Sequence, residues 1–188
     1  MRIIAGKARN LELNVPEGIG VRPTSGRGRK ALLDSLGELE GCAVLDLFSG
    51  SGAFALECAS RGAAEVTMVE LSSAHIAVIR ENCRKVEKTG VDTAIRILQG
   101  DAANTGLYAG AAADLVFADP PYADSGNFFK KITSDPVFRK SFAGALLVWE
   151  IPDTPGARGD FLDTSAFEEG GIRSLGGVWF FIGTVKSL

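Results

Sequence analysis

Residues 118 to 124 read ADPPYAD and follow directly on the apolar run Leu115-Val116-Phe117. Two consecutive prolines cannot extend a sheet or open a helix comfortably, so the strand has to stop at Asp119. Pro120 and Pro121 stiffen the backbone between the Asp119 carboxylate and the Tyr122 ring. The carboxylate and the Pro120 carbonyl can both accept from one exocyclic amine, while Tyr122 can stack on the ring that bears it. Such a set orients a planar amine toward an electrophile, so its catalysis rests on positioning and on accommodating charge that develops on nitrogen. A base inside a duplex is out of reach, which calls for a single-stranded or flipped-out target.

A second candidate set lies upstream. LDLFSGSGAFAL, residues 45 to 56, places Gly50 and Gly52 between a strand pattern and a helix pattern. Glycines let the backbone approach a ligand closely, and the helix start offers free N–H groups. Glu70 closes the next strand pattern, where a carboxylate can accept from ribose hydroxyls. This order points to a nucleoside-containing cofactor. A nicotinamide dinucleotide remains open, because its fingerprint tolerates alanine at the third position, here Ala55. Two acids favour S-adenosylmethionine. Asp46 precedes the loop, where it can face that cofactor's amino-acid end and would be an awkward neighbour for a pyrophosphate. Asp101 in QGDAA lies beyond the third strand pattern, within reach of an adenine amine, or it caps the short segment that follows. His75, the sole histidine, is expected on a helix face in a structural role, and no metal-ligand cluster is expected.

These residues need a frame. Ala43–Phe48, Val66–Glu70, Ala94–Leu98, Asp114–Asp119 and Ala145–Glu150 read as strands. Helices are expected over about 53–61, 73–87 (capped by Ser72 or Ser73) and near 128–132. Strands alternating with helices predict an α/β fold on a mainly parallel sheet. Ile172–Leu175 and Val178–Ile182 around Gly176-Gly177 predict a closing antiparallel hairpin. At the amino end, Ile3-Ile4 and Leu11–Val15 read as short strands about a turn at 6–10. A helix capped by Thr24 or Ser25 then runs to about Leu36. This divides the chain into an extension, 1–40, and a catalytic body, 41–188. Asp46, Glu70 and Asp101 would line one edge of the sheet, at its switch-point crevice.

The bulk numbers set bounds. With 188 residues, 46% hydrophobic and 23% charged, the chain fits one globular domain with a small appendage. No apolar run approaches the ~18 residues of a membrane span. Three cysteines without C-x-x-C spacing, behind a polar amino end, lead us to expect a reduced, cytoplasmic protein without disulfides. The net charge of −3 is unevenly spread. Residues 1 to 30 hold Arg2, Lys7, Arg9, Arg22, Arg27, Arg29 and Lys30 against only Glu12 and Glu17. A basic amino end on an acidic body is either a nucleic-acid footprint or a solvated surface.

Together, MRIIAGKAR, RPT at 22–24, LDLFSGSGAFALECASRGA, VE at 69–70, REN at 80–82, LQGDA and ADPPY give the chain its likeness. It resembles the bacterial 16S rRNA guanine-N2 methyltransferases of the RsmD family. The resemblance implies a doubly wound, seven-stranded class I (Rossmann-like) S-adenosylmethionine-dependent methyltransferase fold with an RNA-binding amino-terminal β-hairpin and helix. It implies methyl transfer to guanine N2 in small-subunit rRNA; the partner is expected to be free rRNA or a 30S assembly particle, and the protein is expected to be a monomer. It assigns Asp46, Ser49, Gly50, Gly52, Glu70, Asp101 and Ala102 to the cofactor, and Asp119, Pro120, Pro121 and Tyr122 to catalysis. Arg22 and Thr24 would lie near cofactor or RNA, and Arg2, Lys7, Arg9, Arg27 and Arg29 would meet RNA. The segment SGRGRKALLDSL departs from the Val-Arg-Glu-Ala-Leu-Phe-Asn type helix usual after RPT, and RSLGG from the usual Arg-x-Tyr-Gly. Three rivals are a DNA adenine-N6 methyltransferase, a nicotinamide-dependent oxidoreductase and a non-catalytic RNA-binding module. The first normally carries a target-recognition insertion for which this chain has no room. The second leaves Asp-Pro-Pro-Tyr unexplained, and the third has no need of the full cofactor set.

Overall fold

The computed structural model describes residues 1–16, 26–154, 156–161 and 163–188. Its centre is a seven-stranded sheet of order β3-β2-β1-β4-β5-β7-β6. The parallel strands are β1 (Ala43–Leu47), β2 (Glu65–Glu70), β3 (Ala94–Gln99), β4 (Leu115–Ala118) and β5 (Leu146–Ile151). β6 (Phe167–Leu175) and β7 (Val178–Val185) close the sheet as the expected hairpin, with β7 antiparallel to β5. Gly176 and Gly177 turn it at φ of 60° and 84°, the positive values that a tight two-residue hairpin turn demands.

Side chains alternate across the sheet. Val44, Val66, Met68, Leu115, Phe117 and Val148 pack with α1 (Gly26–Leu36), α2 (Ala53–Ser60) and α3 (Ser73–Glu87). Leu45, Leu47, Val69, Val116, Leu147 and Trp149 pack on the other side with α4 (Ser125–Thr133) and α5 (Pro136–Ser141). α3 starts where its cap predicts, with Ser72 Oγ accepting from the His75 N–H at 3.4 Å. α5 is an addition to the expected elements. Asp135 accepts from the Val137 N–H at 2.7 Å, and Pro136 occupies the first turn, where it costs no hydrogen bond.

The amino-terminal arm corrects one expectation. Its two segments pair through Ile3 N–H to Leu11 O at 3.0 Å and Leu13 N–H to Met1 O at 2.7 Å. Among the described residues they form no regular strands, only an isolated bridge between Arg2 and Glu12. The reason is that side chains of α2 take up the arm's backbone groups. Glu57, fully buried, accepts from the N–H groups of Ile4 (2.7 Å) and Ala5 (2.9 Å). Ser60 Oγ accepts from the Ala8 N–H and donates to the Ala5 carbonyl. The expected caps of α1, Thr24 and Ser25, lie outside the described residues.

Gly6 is the tightest point of this contact. Its φ is +78°, and a Cβ there would sit 1.7 Å from the Ser60 carbonyl oxygen. Gly6→Ala therefore has to lift the arm off α2. We expect a loss of about 2 kcal/mol or more in a denaturant titration, together with faster amide exchange at Ala8. Unchanged stability would contradict this docking.

Candidate active site

Strand order reverses at β1, whose neighbours are β2 and β4. The helix after β1 packs on one face and the helix after β4 on the other, so a crevice opens beyond the carboxyl ends of these strands. A cleft of about 770 Å³ occupies it. Phe48, Gly50, Glu70, Asp101, Ala102, Asp119, Pro120, Pro121 and Tyr122 line its walls. A recess of about 90 Å³ adjoins it, lined by Asp46, Ser49, Arg29, Met1 and Phe117 among others. Phe48, Gly50 and Asp119 border both spaces.

The glycine loop takes its shape from left-handed backbone at Phe48 (φ 61°), Gly50 (56°) and Gly52 (75°). Ser49 donates its N–H to the Val69 carbonyl at 3.0 Å and its hydroxyl to the Asp46 carbonyl at 2.7 Å. Gly52 acts from behind the loop. A Cβ there would lie 3.0 Å from Met68 Sδ and 3.4 Å from Ile79, so glycine allows β1, β2 and α3 to meet. Glu70 organises the opposite wall. Its Oε2 accepts from the Gly50 N–H at 2.8 Å, its Oε1 accepts from the Ser72 N–H at 2.8 Å, and His75 Nδ1 lies 3.3 Å away. A dinucleotide's pyrophosphate would need the Gly50 N–H that Glu70 already holds, and would face several carboxylates. This set of acceptors suits a cofactor rich in hydroxyl and amine donors that carries positive charge.

Asp46 is 2% exposed and accepts from the Ala55 N–H at 3.4 Å. Burial pushes its carboxyl well above the ordinary range, the Asp119 and Glu70 charges add to this, and hydrogen bonds from Ala55 and Ser49 oppose it. A carboxyl held more weakly acidic in the folded state makes stability fall as pH rises from the unfolded value through the folded one. Asp46→Asn should therefore raise the Tm of the cofactor-free protein at neutral pH and flatten its decline with pH. A lower Tm for the variant at neutral pH would contradict this assignment.

The remaining expectations divide. Asp101 is exposed and its Oδ1 accepts from the Ala103 N–H at 2.8 Å, so it caps the following turn while also lining the cleft. Tyr122 is 39% exposed, and its hydroxyl donates to Glu150 at 3.3 Å. Lys7, Arg9 and Arg27 are exposed, and Arg2 is exposed but pairs with Glu12 at 2.9 Å. Arg29 is a correction. It is 2% exposed, donates to the Arg2 carbonyl at 2.8 Å and faces Glu57 at 3.9 Å, so it braces the arm and cannot meet RNA at the surface. Arg22 and Thr24 lie outside the described residues. Sequence reasoning missed Phe48 and Phe128, which pack edge to face at 5.0 Å beneath the cleft, and Leu71, 67% exposed at its mouth. It also missed the His75 contact with Glu70 and the buried acid Glu150. The position of Leu71, directly after the strand-ending acid, was the available signal. Among the described residues no metal-binding cluster occurs, and no helix is long and apolar enough to cross a membrane.

The chain is 33% identical over 123 residues to ribosomal RNA small subunit methyltransferase D of Escherichia coli K12. That match covers 65% of this chain and 60% of the relative's length. A hypothetical protein of Thermus thermophilus superposes with a TM-score of 0.76 at 30% identity, over 98% of this chain and 99% of that one. An O-methyltransferase from Bacillus cereus, solved in complex with SAH, shares the fold at a TM-score of 0.60 and 15% identity, over 91% of this chain and 84% of that one. The fold is thus that of the class I methyltransferases. The model of the family described as Conserved hypothetical protein 95 matches residues 1–154, and the chain belongs to that family, the RsmD family its motifs resemble.

Proposed function

We propose that this protein transfers a methyl group from S-adenosylmethionine to the exocyclic N2 of a guanine in small-subunit rRNA. The observation that carries this reading is the position of Asp119, which borders both the large cleft and the recess beside Asp46. Glu70 would accept from the ribose hydroxyls, Asp101 and Ala102 would flank the adenine, and Asp46 with Ser49 would face the amino-acid end. The sulfonium supplies an electrophilic methyl group when bound. Asp119 and the Pro120 carbonyl accept hydrogen bonds from the two N2 protons, which aims the nitrogen lone pair at that methyl. Tyr122 stacks on the guanine and keeps it in plane. As the C–N bond forms and the C–S bond breaks, positive charge grows on N2 beside the Asp119 carboxylate, which can accept the departing proton.

Residues 1–40 would act as the RNA-binding extension on the body 41–188, with Lys7, Arg9 and Arg27 meeting phosphates. The protein would work as a cytoplasmic monomer, on free rRNA or on an assembling 30S particle. The test is incubation with radiolabelled S-adenosylmethionine and, separately, small-subunit rRNA, assembled particles and DNA. Label in the RNA-containing samples is expected; label confined to DNA, or none in any sample, would overturn the reading.

A further inference from the structure

The bond between Tyr122 and Glu150 joins an exposed ring to a buried acid 28 residues away. Glu150 is 3% exposed and stands near the carboxyl end of β5. The preceding residue, Trp149, pairs in register with Ala118, so Glu150 lies at the level of Asp119 across the sheet. Trp149 itself donates its Nε1–H to Ser125 Oγ at 3.0 Å, within the core. Two consecutive residues of β5 therefore hold the two ends of the segment from Tyr122 to Ser125. A carboxylate withdrawn from water at that place calls for hydrogen-bond donors, and the Tyr122 hydroxyl supplies one.

The tether bears on stacking. Pro121, at φ −52° and ψ 130°, fixes the main chain entering Tyr122, and Glu150 fixes the far end of the ring. A phenol held at both ends loses its rotational freedom before the base arrives, which spares the complex that entropic cost. We propose that Glu150 is a positioning residue for the target base, acting through the Tyr122 hydroxyl to set the plane on which the guanine stacks. The proposal rests on the methyltransferase reading above and extends it to a residue outside the cleft wall.

The test is a double-mutant cycle on methyl transfer to rRNA, with S-adenosylhomocysteine affinity measured alongside. Tyr122→Phe should lower kcat/KM for RNA by about 2- to 10-fold while leaving cofactor affinity in place. Glu150→Ala should match it, and the double variant should be no worse than either single one. Glu150→Gln, which keeps an acceptor oxygen, should recover most of the loss and guards against a variant that merely folds poorly. Tyr122→Ala, which removes the ring, should cost more, up to about 100-fold. Additive losses in the double variant, or a parallel fall in cofactor affinity, would overturn the role of Glu150. A wild-type protein that labels no RNA would overturn the methyltransferase reading itself.

Discussion

Asp119→Ala should lower methyl transfer by about 10²- to 10³-fold while S-adenosylhomocysteine still binds. Asp119 borders both the cleft and the recess, where the proposed reading places the target amine, and the glycine loop has anchors of its own. The loop is held by other bonds: Ser49 to Val69 and to Asp46, and Gly50 to Glu70. Asp119→Asn separates two contributions. It keeps an acceptor oxygen for the amine but loses the negative charge beside the developing cation, so its activity should fall between those of wild type and the alanine variant. Single-turnover rates at saturating cofactor provide the measurement. Full activity in Asp119→Ala would remove this residue from the chemistry.

Glu57→Ala should have the largest effect on stability, about 3–5 kcal/mol. Glu57 is fully buried, with Arg61 Nε at 3.1 Å and Arg29 Nε at 3.9 Å, and it receives two backbone N–H groups of the arm. Truncation strands those donors and leaves the Arg29 guanidinium buried opposite no acid. Burial already draws the Arg29 pKa below its usual value, and the charge of Glu57 works against that. Glu57→Gln should lie between, since it retains one acceptor for the arm but no charge for Arg29. Because Met1 and Arg29 line the recess beside Asp46, cofactor affinity should fall with the arm's release. Thermal unfolding and amide exchange over residues 1–13 test this. An arm that stays protected in Glu57→Ala would contradict it.

The contrast between Arg29 and Asp119 shows what is legible in the sequence. Asp119 is readable because its neighbours are local: the strand before it and the prolines after it fix its place without long-range information. The same holds for Glu70 at the end of β2 and for the glycine loop between β1 and α2. Arg29 escapes such reading because its acidic partner, Glu57, lies on another helix, and charge alone sends arginine to the surface. The arm's strands fail for a related reason. Ile3-Ile4 and Leu11–Val15 have β-forming residues, yet Glu57 and Ser60 capture backbone groups that a ladder would have used. α5 is legible but easily overlooked, since Asp135-Pro136 is a helix-start signal. Glu150 can be placed on a strand from LLVWEI, but its bond to Tyr122 depends on how β5 meets the segment after β4.

The atom that receives the methyl group distinguishes guanine-N2 transfer from every other methylation of the same RNA. After reaction with small-subunit rRNA and isotopically labelled S-adenosylmethionine, the RNA is digested to nucleosides and separated by mass spectrometry. Label is predicted in N2-methylguanosine, and absent when Asp119→Ala replaces the wild type. Label in N6-methyladenosine, or in any nucleoside methylated elsewhere than guanine N2, would contradict the claim.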